Sequence, residues 1–225
     1  QFIIKKSLII FLFIIFLFPQ NNSYSTLFAK TFNDYGVISI MYHRFDEKKY
    51  PSTNIQLDVF KEQLKIIENQ DIRFIHPKNF KEDLSINKKE RKVLLTIDDG
   101  LLSFYENAWP ILREKKIPFI LFVNTREVGS FNYMNWDQIL ELHKSDLVEI
   151  GNHSHSHEYL VDESPEIIKN DILKSIEIFN KKLGRNSNFF SYPFGEYSLE
   201  QQKYISKKFD FAFGQHSGLI DVNKN

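Results

Sequence analysis

Short apolar runs closed by polar residues alternate along this chain with stretches in which apolar side chains recur every third or fourth position. The first pattern predicts strands, the second amphipathic helices. Gly36 to His43 reads as a first strand, followed by Leu57, Phe60, Leu64 and Ile67 at helical spacing. Ile72 to His76 is a short strand, Lys78 to Arg91 a solvated loop and helix, and Val93 to Ile97 a buried strand that ends abruptly in Asp98-Asp99-Gly100. Ser103 to Lys116 is helical, Pro118 to Val123 a strand, and Met134 to His143 a helix with Trp136 in its first turn. Val148 to Gly151 is a strand that runs straight into Asn152-His153-Ser154-His155-Ser156-His157.

Ser164-Pro165 then supplies a capping hydroxyl and a proline suited to the first helical position. Ile168, Ile172, Ile176, Phe179 and Leu183 share one face of that helix, and Gly184 stops it. A strand from Phe189 to Tyr192 ends in Pro193-Phe194-Gly195, and a helix (Leu199 to Lys208) and a last strand (Phe211 to Phe213) follow. Strand and helix thus alternate about seven times, the signature of an α/β fold of parallel βαβ units, closed as a barrel or left as an open sheet. In either case function belongs at the C-terminal strand ends, where His43, Asp98-Asp99, the histidine cluster and the turn at 193–195 fall.

Composition narrows the classes. The 225 residues suffice for one domain with a sizeable core, and 42% hydrophobic content with 22 phenylalanines describes a globular chain. Lys plus Arg balances Asp plus Glu at 29 each, so nothing recommends nucleic acid as a partner. Without cysteine, disulfides, thiolate metal sites and a Cys nucleophile are excluded, and any metal must be held by His and carboxylate. Lys5 and Lys6 precede the apolar run Leu8 to Phe18 and Pro19, with Ser23 and Ser25 before Thr26. Residues 1–25 are therefore expected to be a secretory signal or an uncleaved N-terminal anchor, 26–35 a spacer and 36–225 a single folded domain at or beyond the cell surface. The start at Gln1, not a methionine, and the lack of a closing element before Asn225 predict a fragment missing residues at both ends, with the folded domain cut at its C-terminus. No repeat, interdomain linker or glycine-rich phosphate loop is visible.

Three histidines in five residues after a strand, with two adjacent carboxylates after another, are hard to explain as packing. Imidazole and carboxylate together suit zinc and leave positions open to water. His153 and His157, four apart, can meet on one ion if the segment turns helically; His155 would then face elsewhere, as a support or an exposed residue. Side chains alternate along a strand, so Asp98 and Asp99 can take different tasks, proton transfer for Asp98 and metal ligation for Asp99. His43 and His216 are candidates for the acid that protonates a leaving amine.

Thr96-Ile97-Asp98-Asp99-Gly100 and His153-Ser154-His155-Ser156-His157 resemble the first two motifs of the polysaccharide deacetylase family, carbohydrate esterase family 4. Met41-Tyr42-His43 and Tyr192-Pro193-Phe194-Gly195 fit as well, best to the branch of extracellular poly-N-acetylglucosamine deacetylases, and the likeness spans about Val37 to Gly218. The resemblance implies a distorted (β/α) barrel of about seven strands, one divalent ion with zinc the first choice, and removal of acetyl groups from an N-acetylated glycan. Asp98 then matches the base, Asp99, His153 and His157 the metal ligands, Phe194 a backbone N–H that holds the oxyanion, and Trp136 an aromatic lining the acetyl pocket. In two places the pattern is broken. Ser191 stands where the family has an arginine that orients the base, and the last motif's histidine has no clear counterpart, His216 being the candidate. An O-acetyl esterase, a small-amide hydrolase and a catalytically silent carbohydrate-binding domain are the competing readings on the same fold.

Overall fold

The structure is a computed structural model that describes residues 36–85 and 90–220. The expected signal or anchor and the spacer lie outside them. Among the described residues no helix is long and apolar enough to cross a membrane.

Among the described residues nine strands and six α-helices follow in the order β1 (Gly36–Tyr42), β2 (Arg44–Phe45), β3 (Asn54–Ile55), α1 (Leu57–Asn69), β4 (Arg73–Phe74), α2 (Phe80–Ser85), β5 (Arg91–Ile97), α3 (Trp109–Lys115), β6 (Phe119–Val123), α4 (Trp136–His143), β7 (Val148–Asn152), α5 (Pro165–Leu183), β8 (Phe189–Ser191), α6 (Leu199–Ile205) and β9 (Phe211–Phe213). Seven of the strands form one sheet in the order β1-β5-β6-β7-β8-β9, with β4 beside the first half of β5. Every pairing within it is parallel. The sheet curls into a half-barrel, and Ile220 N–H bonds to Val37 O beside β1 at 2.9 Å. This is the α/β single-domain architecture expected from the alternation of elements.

Both faces of the sheet are apolar, and the period of two decides which side chain goes where. Val93, Leu95 and Ile97 of β5 and Phe119, Leu121 and Val123 of β6 pack with Phe60 and Leu64 of α1, Leu112 of α3 and Phe179 of α5. The intervening Leu94, Ile120 and Phe122 turn to the concave face, where Val37, Phe80, Phe189, Phe211 and Phe213 fill the half-barrel. Each fully buried Phe contributes about 1.5–3 kcal/mol, so this aromatic filling is a main source of stability. Its tightness shows at Gly151, where a Cβ would lie 2.3 Å from the Phe122 ring.

Two local features differ from the periodicity. The helix expected from Ser103 begins as a wider π turn over Phe104–Ala108, and the regular helix starts only at Trp109. Pro110 is the cause: it has no N–H and its ring crowds the carbonyl one turn back. The two-residue strands β2 and β3 form a separate ribbon that carries too few residues to leave a periodic signal. The longest helix among the described residues, α5, follows its sequence signals. Ser164 Oγ accepts from the Ile167 N–H, Pro165 opens α5, and Gly184 ends it at φ 79°.

Candidate active site

The polar residues at the C-terminal ends of β1, β5, β7 and β8 meet in one cleft. Asp98 follows β5 directly, and its N–H bonds to Tyr42 O at 2.9 Å, prolonging the β1–β5 pairing. Asp99 and Gly100 then both take left-handed backbone, φ 76° and 70°, so the chain swings away and the two carboxylates face different neighbours. Asp98 is 1% exposed. Its Oδ2 accepts from Ser191 Oγ at 3.1 Å, while Oδ1 is buried without a hydrogen-bond partner. Burial pushes its carboxyl up from the ordinary range.

Asp99 Oδ1 lies 3.1 Å from His157 Nε2 and 3.5 Å from His153 Nε2. It too is buried, and it has no aligned hydrogen bond. Burial works against its charge, yet the two imidazoles hold its carboxyl far below the usual carboxylate range. His153 Nδ1 is 2.8 Å from Ser191 O. A carbonyl can only accept, so Nδ1 carries the proton, and in the neutral ring Nε2 is left with the lone pair that a metal ligand requires. Burial opposes a charge on His153, and the carboxylates of Asp99 and Asp98 outweigh it and raise its basicity.

These three donor atoms lie within 4.8 Å of one another. Two carboxylates, each with a buried oxygen that has no aligned hydrogen-bond donor, form a site that suits a cation. The donor set, one carboxylate and two imidazoles, fits a zinc-like divalent ion with coordination positions left open.

The loop that carries the two histidines does not turn helically. Ser154 and His157 have φ 68° and 54°, and their segment is a bend. Its amide groups bond elsewhere than to carbonyls one turn back. His157 N–H goes to Ser154 Oγ at 3.0 Å, and Ser154 N–H to Asn152 Oδ1 at 2.9 Å. His155 and Ser156 N–H both donate to the Asp171 carboxylate of α5, at 2.8 and 3.0 Å. On the other side, Thr125 and Arg126 N–H bond to the carbonyls of Ser154 and His155. His155 itself turns away and shares a 2.8 Å hydrogen bond with Thr125 Oγ1. Asp171 and Thr125 carry no such signal in the sequence, since both lie far along the chain from the histidines they support.

The cleft is about 510 Å³ and is lined by His43, Arg44, Asn54, Asp99, His153, His157 and Phe194, among others. Phe194 is also left-handed, at φ 59° and ψ 4°. Trp136 and His216 do not line the cleft. Trp136 packs against the helix-side core with Lys182 Nζ 5.6 Å from its ring, and His216 is exposed beyond β9, 6.2 Å from the Tyr197 ring. Gln215, its neighbour, reaches the cleft instead.

The chain is similar to several known proteins. Over 205 residues the chain is 27% identical to a poly-β-1,6-N-acetyl-D-glucosamine N-deacetylase of Staphylococcus aureus, covering 83% of this chain and 70% of the relative. A namesake from Staphylococcus epidermidis is 28% identical over 189 residues, covering 78% of this chain and 64% of that protein. The solved structure of IcaB from Ammonifex degensii superposes with a TM-score of 0.78 at 25% identity, over 85% of this chain and 89% of that one. A Streptococcus pyogenes deacetylase, PplD, in complex with acetate shares the fold, with a TM-score of 0.74 at 21% identity over 84% and 88% of the two chains. The sequence pattern of the polysaccharide deacetylases matches residues 85–213, more than half of the 225, and the chain belongs to that family.

Proposed function

We propose that this protein is a metal-dependent hydrolase that removes acetyl groups from the N-acetylglucosamine units of a polysaccharide at or outside the cell surface. The convergence of Asp99, His153 and His157 beside the buried, partly unsatisfied Asp98 carries the reading. The names of the staphylococcal relatives favour poly-N-acetylglucosamine as the polymer. The apolar stretch Leu8 to Phe18 suits an exported protein.

Asp99, His153 and His157 would hold the divalent ion, with zinc the first choice. When bound, such an ion polarises the acetyl carbonyl and acidifies a water molecule. Asp98, held through Oδ2 by Ser191, offers its free Oδ1 to take the proton of the attacking water. The Phe194 N–H, set at the cleft by its left-handed backbone, is assigned to the developing oxyanion. His43 on the cleft wall is assigned the return of a proton to the departing amine. The C–N bond breaks as water oxygen joins the acetyl carbon, and the products are acetate and the free amino sugar.

Acetate release from N-acetylglucosamine oligomers tests the proposal directly. Chelator should abolish it, zinc should restore it, and Asp98→Asn should lower kcat by about 10²–10⁴. Turnover indifferent to both treatments would sink the assignment.

A further inference from the structure

The rim of the cleft carries exposed aromatic surface that the hydrolytic step does not use. Phe194 is 49% exposed and Tyr159 42%, and their rings pack edge to face with centroids 5.9 Å apart. The Phe194 ring in turn stands 4.9 Å from that of His157. Aromatic surface therefore runs unbroken from a metal-site imidazole to the outside of the cleft.

This surface is held in place. The left-handed backbone of Phe194 is strained for a residue of its kind, and such strain persists where the surroundings impose it. The Tyr159 hydroxyl donates to the carboxylate of Glu196, two residues beyond Phe194, so both rings are tied to one loop. Ser52, Thr53 and Asn54, at the start of β3, line the same cleft as Phe194. The cleft thus joins apolar aromatic surface to polar side chains. A pyranose ring has the same division, C–H groups on its face and hydroxyls around its edge.

We propose that Phe194 and Tyr159 form a stacking subsite for the sugar next to the one being deacetylated, with Ser52, Thr53 and Asn54 meeting the hydroxyl edge of the chain. The inference rests on the deacetylase reading for the identity of the ligand. It is tied to that neighbouring sugar because Phe194 lines the cleft whereas Tyr159 stands outside it. Binding should therefore strengthen with glycan length, and the outer ring should matter only to substrates that reach it.

Titration calorimetry with N-acetylglucosamine oligomers and with the monosaccharide, alongside turnover of a small acetyl ester, separates the possibilities. Tyr159→Ala should weaken oligomer binding about fivefold while leaving the monosaccharide affinity and ester turnover unchanged. Tyr159→Phe, which keeps the ring, should retain most of the oligomer affinity, and Phe194→Leu should lose it. Equal oligomer affinity in wild type and Tyr159→Ala, or no preference of wild type for oligomer over monosaccharide, would overturn the subsite. Ring-dependent oligomer binding without any acetate release would leave the subsite standing and remove the deacetylase reading instead.

Discussion

The ends of β5 and β8 meet at the same buried point but are written in different chemistry. β5 ends in two carboxylates, residues whose burial is costly and therefore conspicuous. β8 ends in Ser191, Tyr192 and Pro193, with no ionisable group that announces a site at neutral pH. Yet Ser191 touches both of the candidate residues beside it: its hydroxyl holds Asp98 and its carbonyl accepts from His153. Residues that carry charge define what a site can do, and neutral groups that satisfy single lone pairs define where the charges sit.

The sharpest way to break the comparison is to remove a charged member. Asp99→Ala takes one donor of three from the proposed ion. Removing groups that only orient metal ligands costs 10–100-fold in affinity, so loss of a ligand itself should exceed about 100-fold. Zinc titration calorimetry measures this without turnover. Unchanged zinc affinity would mean that the three donors converge for another purpose.

A smaller effect is expected from Asp171, which belongs to neither strand end and reaches the histidine loop from α5. Its carboxylate gathers two amides that the bent loop leaves without backbone acceptors, and so fixes the distance between His153 and His157. Asp171→Ala should weaken zinc binding by about tenfold, and saturating zinc should restore most of the acetate release. Full activity at limiting zinc would show that the pairing of the loop with Thr125 and Arg126 suffices.

The same contrast explains what the sequence made legible. The parallel α/β fold could be read from periodicity because both sheet faces are apolar and each helix keeps one apolar stripe. Asp98, Asp99, His153 and His157 stood out because their residue types are rare in packed cores and they follow strands. The route by which the histidines meet was not readable. A spacing of four suggests a helical turn, whereas the bend is imposed by left-handed residues and by Asp171, distant in sequence. The ribbon of β2 and β3 and the placement of Trp136 away from the cleft were equally hidden, since two-residue strands and the azimuth of a helix depend on tertiary packing.

Ser191 gives the finest test, because its two contacts come from different atoms. Ser191→Ala removes the hydroxyl that bonds to Asp98 Oδ2 and leaves the carbonyl that accepts from His153. A hydrogen bond to a charged group is worth about 1.5–3 kcal/mol, an upper bound here because Asp98 remains caged by the core. The expected result is a fall in kcat of about tenfold, with KM and zinc affinity unchanged, and Ser191→Thr should recover most of the loss by returning a hydroxyl to the same place. A parallel drop in zinc affinity would show instead that Ala shifts the end of β8, so that base and ligand are held by the strand as a whole. With kcat untouched, Asp98 would owe its position to burial alone, and the β5 end would be self-sufficient.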